Sequence, residues 1–461
     1  MSIINNIVIV LSFLQTKTKL IMEHAVHSVQ IWEIIPFVLM LGAIAVLPLK
    51  ASYFWESNRN KLIVALILGV PTAIWLLANG MSHEVLHAMV YDYVPFILML
   101  GALFIITGGI YVDGSIESKP ATNAIILGIG AVLASLMGTT GAAMLLIRPI
   151  ISTNANRKYK VHTILFFIAI IANCGGLLTP LGDPPLFMMY LRGVPFLWFA
   201  GFIKEWASTN LALIVIFYII DTHFWKKEDE SVKYFNPENK RPVRIHGKLN
   251  FVWLLGVVLA VAFINPSTFS FIHAAHPSSF LRELIFVLMA ALSMKFTDKL
   301  TRENNKFSWE PIEEVAYLFL GIFITMVPAL SYLEHHAADL GIDTPMLYYY
   351  AAGGLSSFLD NTPTAVTFYS LARGWTDMNP DIVANMDMIA NIPSIYMEAI
   401  CVGAVMFGSM TYIGNGPNFM VKAIAESQGI KMPDFFAYMY KFSLIVLLPL
   451  FILIQIIFIH S

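Results

Sequence analysis

Two aspartates, Asp183 and Asp360, lie deep inside apolar stretches of the sequence, each among residues that interrupt a helix. An ionisable side chain in such a place is costly and is by default a functional candidate. A buried carboxylate binds Na⁺, or takes up a proton when desolvation favours its neutral form. Both acids are therefore predicted Na⁺ ligands. The segment 360–363 (Asp-Asn-Thr-Pro) also matches the capped start of a helix, so a capping role for Asp360 stays open.

Two segments near these acids cannot form continuous helix. In the segment 179–185 (Thr-Pro-Leu-Gly-Asp-Pro-Pro), the prolines remove backbone donors and clash with the preceding carbonyls. The segment 411–418 (Thr-Tyr-Ile-Gly-Asn-Gly-Pro-Asn) is interrupted in the same way. Each break frees carbonyls that coordinate a small cation, and each starts a new helix whose N-terminus favours an anion.

Two further apolar stretches, 122–151 and 345–372, are interrupted at their centres by Gly-Thr-Thr-Gly (138–141) and Asp-Asn-Thr-Pro (360–363). Each stretch favours two half-helices, which form a re-entrant hairpin with its tip inside the protein. The predicted ion- or substrate-binding residues lie in the two tips, in the two breaks and one turn before the first break. They are Thr139, Thr140, Gly141, Asn173, Thr179, Gly182, Asp183, Asp360, Asn361, Thr362, Thr411, Gly414, Asn415 and Asn418.

The composition is that of a membrane protein. Of 461 residues, 57% are hydrophobic and 13% charged, against about 25% charged in an average soluble domain. This argues against a soluble enzyme, a nucleic-acid binder or a disordered chain, and it predicts an all-α polytopic membrane protein. Apolar stretches predict spans at 32–49, 62–80, 94–112, 162–189, 210–225, 250–264, 281–296, 315–333, 393–425 and 435–459.

The basic residues predict the orientation of the chain in a plasma (inner) membrane. They cluster at 50–61, 148–160, 226–248 and 295–306. If each hairpin returns to its own side, every cluster falls on one face, which the positive-inside rule makes cytoplasmic. The loop 266–279 then lies outside.

The two halves of the chain resemble each other. Residues 134–142 align with 356–364, and 175–185 align with 407–417. Each half holds three spans, a hairpin, a broken span and a final span, so five crossings per half predict inverted repeats. The predicted domains are an N-terminal segment (1–29), repeat 1 (30–225), a cytoplasmic linker (226–249) and repeat 2 (250–461). Whether the chain starts at Met1 or Met22, and whether 3–21 spans, stays open. Inverted repeats with broken helices are typical of secondary transporters, not of enzymes.

Four other features of the sequence carry charged or metal-binding side chains. His83 and His87 form an H-E-x-x-H motif, the zinc protease pattern, but it is predicted in a loop and a chance match is favoured. Arg148 is interpreted as an anchor at the membrane edge, with anion binding as its alternative. Glu398 fits a proton relay or a salt bridge. Glu205 lies in an amphipathic stretch (194–206) interpreted as interfacial and without chemistry.

The tips and breaks resemble the ion transporter superfamily over about residues 30–459. This group includes divalent-anion/sodium symporters, citrate carriers, arsenite pumps and NhaD-type sodium/proton antiporters. The segment 175–183 is similar to the antiporter pattern G-G-x-x-S-P-I-G-D, and Gly-Asp-Pro-Pro-Leu-Phe at 182–187 looks most like the citrate transporter or antiporter branch. The first tip, with Gly138 and Thr139, lacks the Asn of both branches. The resemblance implies a homodimer in which a transport domain slides against a scaffold.

The sequence leads to a secondary transporter in the lipid bilayer, with no cofactor beyond transported or coupling Na⁺ and H⁺. The first hypothesis is Na⁺/H⁺ antiport, in which Asp183 and Asp360 alternate between the two cations. The second is a cation-coupled citrate or carboxylate carrier of the same fold. The remote alternative is an intramembrane zinc protease. No nucleic-acid partner is expected.

Overall fold

The computed structural model describes residues 29–114, 116–233, 242–265, 268–269, 271–272 and 280–460. Of these residues, 76% lie in helices and 2% in strands. Among the described residues, eight helices are long and apolar enough to cross a membrane. The predicted all-α polytopic membrane fold is confirmed. The expectations for residues 1–28, for the middle of the linker (234–241) and for most of the loop 266–279 lie outside the described residues.

The helices of the first half follow one another with short connections. They are α1 (Ile35–Lys50), α2 (Ser52–Trp55), α3 (Asn58–Ala78), α4 (Ser82–Leu86), α5 (Val94–Thr107), α6 (Pro120–Met137), α7 (Thr139–Thr153), α8 (Val161–Ile170), α9 (Pro184–Leu191), α10 (Ile203–Lys226) and α11 (Glu230–Lys233). A π-helical segment, His87–Tyr93, joins α4 to α5, and 3₁₀ turns occupy Ile31–Ile34, Cys174–Leu178 and Phe196–Phe202.

The second half has the same kinds of element. Its helices are α12 (Asn250–Phe263), α13 (Phe280–Phe296), α14 (Lys299–Asn304), α15 (Glu310–His335), α16 (Pro345–Ser356), α17 (Asn361–Met378), α18 (Pro380–Val383), α19 (Ser394–Phe407), α20 (Gly416–Ser427), α21 (Phe435–Tyr438) and α22 (Leu448–Phe458). The 3₁₀ turns are Ala337–Leu340 and Gly408–Met410, and a π-helical segment, Met439–Leu447, joins α21 to α22.

Two antiparallel ribbons complete the secondary structure of the described residues. Strand β1 (Tyr111–Asp113) pairs with β2 (Arg244–His246), which ties the segment after α5 to the end of the linker. Strands β3 (Met388–Ile389) and β4 (Ile392–Pro393) form a hairpin just before α19. The ribbons therefore lie in connections and not in the helical core.

The predicted third span, 94–112, is misplaced at both ends. The structure has continuous helix from Ser82 to Thr107, so the H-E-x-x-H motif lies in a helix and not in a loop. The polar residues at 82–92 lower the local hydropathy, but they do not prevent helix formation. The predicted span 210–225 likewise begins earlier, at Phe196.

Both apolar stretches with central interruptions are divided into helix pairs. Helices α6 and α7 meet at Gly138, whose φ of 83° lies in the left-handed region that glycine adopts without strain. In the second pair, Asp360 precedes α17, and its side chain accepts a hydrogen bond from the Thr362 N–H (3.0 Å). That each pair enters and leaves on one membrane face stays a prediction.

The broken spans form the centre of the protein. Between Thr163 and Leu177 every residue except Leu165 is buried, and 396–412 is equally buried apart from Glu398. The outer helices instead expose large apolar side chains, such as Ile67 on α3 and Leu211 on α10, each 64% exposed. The outer apolar surface suits hydrocarbon, and the interrupted backbone lies inside protein, as a membrane requires.

Candidate functional site at the paired helix breaks

The two breaks make the same hydrogen bonds. The Thr179 hydroxyl donates to the Ser135 carbonyl, and the Thr411 hydroxyl donates to the Ser357 carbonyl. In each half the N–H two residues further on donates to that threonine hydroxyl at 3.2 Å. These residues occupy aligned positions in the two halves. The local geometry therefore supports an internal repeat, whose inverted orientation stays a prediction.

Close-packed glycines allow each break to fold tightly. A Cβ atom on Gly182 would lie 1.9 Å from the carbonyl oxygen of Gly176, and one on Gly414 would lie 2.6 Å from that of Gly408. No side chain fits at such distances. Positions 182 and 414 therefore require glycine for space.

Asp183 lies at the centre of the predicted site and is 1% exposed. Its Oδ1 accepts hydrogen bonds from the Thr139 hydroxyl (2.9 Å) and from the Asn415 amide (3.2 Å), and its Oδ2 accepts one from the Asn361 amide (2.7 Å). These donors belong to the first tip, the second break and the second tip. One carboxylate thus joins both halves of the chain.

Four helices begin at this carboxylate. Asp183 and Asn415 are the N-cap residues of α9 and α20, while Thr139 and Asn361 are the first residues of α7 and α17. Each helix N-terminus carries about half a positive elementary charge. The positive ends of four helix dipoles therefore lie around the buried Asp183 carboxylate.

A chain of buried amides holds this centre in place. The Asn415 amide also lies close to the Ala172 carbonyl (3.0 Å) and to Asn173 Oδ1 (3.2 Å). The Asn173 amide in turn donates to Asn418 Oδ1 (2.7 Å), and the Asn418 amide donates to the Thr411 carbonyl (2.9 Å). Asn173 and Asn418 thus position the breaks and make no hydrogen bond to Asp183.

The remaining predicted residues surround the centre. Asp360 is half-buried and caps α17, and among the described residues its carboxylate makes no hydrogen bond to Asp183. The hydroxyl of Thr362 is buried and has no hydrogen-bond partner in the described part of the chain. Thr140 is half-buried, and Gly141 packs against Thr107. Asp360 and Thr362 thus lie next to the centre, and neither side chain hydrogen-bonds to Asp183 in the described part of the chain.

The profile of one protein family, described as "Putative citrate transport", matches residues 26–459. The chain belongs to this family. The family lies within the ion transporter superfamily, so the predicted resemblance is confirmed. A comparison with curated proteins found no match.

In this member of the citrate transport family, Ser356 completes the site. Its hydroxyl lies 2.6 Å from Asn361 Oδ1 and 2.6 Å from the Ala404 carbonyl, so it supports the amide that contacts Asp183. Sequence reasoning missed Ser356, although it lies in the aligned segment 356–364. A small polar side chain next to a hairpin tip is the signal that indicates such a supporting residue.

A buried ion cluster lies at the base of the first helix pair. The sequence places Arg157 among the cytoplasmic basic residues, yet its side chain is fully buried and makes two hydrogen bonds to Asp221 (2.5 and 3.0 Å). His162 Nε2 lies 2.8 Å from the same carboxylate, and Glu228 lies 3.9 Å from the guanidinium. The cluster fastens α8, and the connection between α7 and α8, to α10.

Other candidates lie away from the centre. The rings of His83 and His87 are 6.4 Å apart, and within the described ranges no three His, Cys, Asp or Glu residues form a metal-binding group.

One nitrogen of Arg148 is buried without a hydrogen-bond partner among the described residues. In the stretch 194–206, Lys204 is exposed and Glu205 is only 5% exposed, so the stretch is amphipathic, and its interfacial location stays a prediction.

Proposed function

We propose that the protein is a cation-coupled secondary transporter of a citrate-like carboxylate, with the coupling cation held at Asp183. The observation that carries this is the Asp183 carboxylate, buried and contacted by donors from both halves of the chain. The citrate transport family, to which the chain belongs, supports a tricarboxylate as the cargo.

Charge at the site explains why a cation and an anion would travel together. Four helix N-termini contribute about +2 elementary charges in total, and the carboxylates of Asp183 and Asp360 contribute −2 when ionised. The empty site is thus close to neutral and attracts a carboxylate weakly. A cation at Asp183 leaves an excess of positive charge, which favours the anionic cargo.

The ligands for Na⁺ come from groups already around Asp183. Hard cations prefer oxygen ligands, and the centre offers carboxylate, hydroxyl and amide oxygens. Rotation of the Asn361 or Asn415 amide by half a turn presents its oxygen in place of its nitrogen. The Thr139 hydroxyl turns its lone pair in the same way.

Alternating access would then rest on the paired breaks. Inverted repeats with ion sites at broken helices expose one site to each membrane face in turn. We place the linker 226–249 on the cytoplasmic side of the plasma membrane and expect a homodimer whose transport domain moves against a scaffold. These expectations come from the basic clusters and from the resemblance.

Na⁺/H⁺ antiport is the second candidate. One observation favours it: in the described part of the chain, no Lys, Arg or His side chain hydrogen-bonds to Asp183 or to its three partners. A permanent anion site usually includes such a cation. Under antiport, Asp183 would exchange Na⁺ for H⁺ and carry no carboxylate.

Flux into proteoliposomes separates the two candidates. We expect an imposed Na⁺ or proton gradient to drive labelled citrate above its equilibrium level, and we expect no accumulation without the gradient. If the Na⁺ gradient instead moves protons in the absence of any carboxylate while citrate does not accumulate, the citrate proposal fails and antiport holds.

A further inference from the structure

An ion pair joins the end of α9 to the π-helical segment before α5. Arg192, the C-cap residue of α9, has its Nη2 atom 3.6 Å from Asp92 Oδ2, and both side chains are largely buried. The Arg192 guanidinium also lies 5.5 Å from the centre of the Tyr369 ring on α17. His87 Nδ1 lies 3.7 Å from the Asp92 carboxylate. None of these residues belongs to the proposed cation site.

A second set of contacts fixes α9 to α12 and α13. The Arg282 guanidinium on α13 lies 5.2 Å from the centre of the Tyr190 ring and 5.6 Å from that of the Phe187 ring. The Tyr190 hydroxyl donates to the Val261 carbonyl on α12 (2.8 Å). Arg282 Nε donates to Glu283 Oε1 (2.8 Å), so this buried cation has a counter-ion. Helix α9 is therefore held by three helices that carry neither a tip nor a break.

These contacts join parts of the protein that must move against each other in the proposed transport cycle. Asp183 is the N-cap of α9, and α9 is only eight residues long, so a displacement of the Asp183 centre carries α9 with it. Alternating access requires the centre to move relative to the unbroken helices. The contacts of α9 with α12, α13 and the segment before α5 would then have to open in each cycle.

The predicted orientation places both charges of the ion pair at the outer face. The spans that precede Asp92 and Arg192, 62–80 and 162–189, each begin next to a cytoplasmic basic cluster, so both are predicted to end outside. The observed contact between the two residues agrees with this placement.

We propose that the Asp92–Arg192 ion pair and the Arg282–Tyr190 contact form an outer latch, which holds the site closed to the outside and opens when the site faces outward. A buried ion pair suits this role, because its charges stabilise each other in the closed state and are hydrated instead when water enters. The inference rests on the proposed function, since only a protein that exposes its site to each side in turn needs such a latch.

Reversible cross-linking in proteoliposomes tests the outer latch. Asp92→Cys combined with Arg192→Cys places two thiols at the ion pair, while the native Cys174 and Cys401 are fully buried. A bismaleimide with a disulfide in its spacer joins the two thiols, and the mass of the protein reports the yield. We expect cross-linking to abolish citrate flux, because α9 can no longer leave the segment before α5. Reductive cleavage of the spacer should restore the flux.

Lys299→Cys combined with Glu303→Cys on α14 is the matched control, because this ion pair is exposed and lies within one helix, so its cross-link should leave flux unchanged. Tyr190→Cys combined with Arg282→Cys is the second latch pair and is used if the first variant does not fold or transport before cross-linking. Full flux through either cross-linked latch pair overturns the latch, because the contact then never has to open.

Failure of the proposed function gives a different result. If the wild type exchanges Na⁺ for H⁺ but does not accumulate citrate, the citrate proposal fails, and the same cross-links are then tested on the exchange. A wild type that shows neither flux overturns the proposed function together with the latch that rests on it.

Discussion

At the scale of single residues, the two aspartates that stand out in the sequence have different surroundings. Asp183 is contacted by three donors from distant parts of the chain, whereas Asp360 accepts a hydrogen bond from the backbone two residues away. The sequence identified both acids, because burial of a charge is visible in hydropathy. Nothing in the sequence distinguishes the two acids from each other. The residues that contact Asp183 lie up to 232 residues away along the chain, so a local pattern cannot indicate them.

The capping role of Asp360 predicts a specific pattern of substitutions. Asp360→Ser retains a side-chain oxygen for the Thr362 N–H, so we expect its stability to remain near that of the wild type. Citrate transport should persist but depend less on the coupling cation, because one negative charge has left the site. Asp360→Ala removes the cap and should cost about 1 kcal/mol of stability. Melting curves and citrate flux check this. Loss of all transport in folded Asp360→Ser would instead make Asp360 an ion ligand.

At the scale of elements, the sequence predicted both helix breaks and both tips, since proline, glycine and polar residues interrupt apolar runs there. It placed the start of the third span 12 residues too late, because polar side chains at 82–92 hide a helix that continues. It also could not predict that Arg157 is buried, since hydropathy counts a charged residue as exposed. Its partner Asp221 is 64 residues away.

The tight fold of the first break predicts the effect of adding a single methyl group. Gly182→Ala would bring Cβ within 1.9 Å of the Gly176 carbonyl oxygen, so we expect a loss of about 3 kcal/mol or complete misfolding. Gly416→Ala is the matched control, since no atom lies within 4 Å of its Cβ and alanine favours helix. Melting temperatures in detergent compare the two. Equal stability would contradict the observed packing.

In the buried ion cluster, we expect the negative charge of Asp221 to be essential for stability. Asp221→Asn leaves the buried Arg157 guanidinium without its counter-ion, which should cost about 3–5 kcal/mol. The exposed pair of Lys299 and Glu303 provides the control, and Glu303→Gln should leave the melting temperature unchanged. A wild-type melting curve for Asp221→Asn would show that the cluster does not fasten these helices.

At the scale of the whole molecule, the topology can be tested with cysteines. The native Cys174 and Cys401 are fully buried, so they give little background. We expect Asp381→Cys to react with a membrane-impermeant maleimide on intact cells, and Lys227→Cys to react only after permeabilisation. Both positions are exposed. The opposite result would reverse the predicted orientation, and labelling of both from outside would contradict an odd number of crossings between them.

The central claim is that a cation at Asp183 makes the site attractive to a carboxylate. Equilibrium binding of labelled citrate to the purified protein, measured with and without Na⁺ and at high and low pH, tests it most directly. We predict that the coupling cation, Na⁺ or H⁺, raises the affinity for citrate at least about tenfold, which is equivalent to about 1.4 kcal/mol. Asp183→Asn should abolish this dependence, and the exposed control Asp381→Asn should retain it. Citrate binding that is independent of cation in the wild type, or that keeps its dependence in folded Asp183→Asn, would contradict the account.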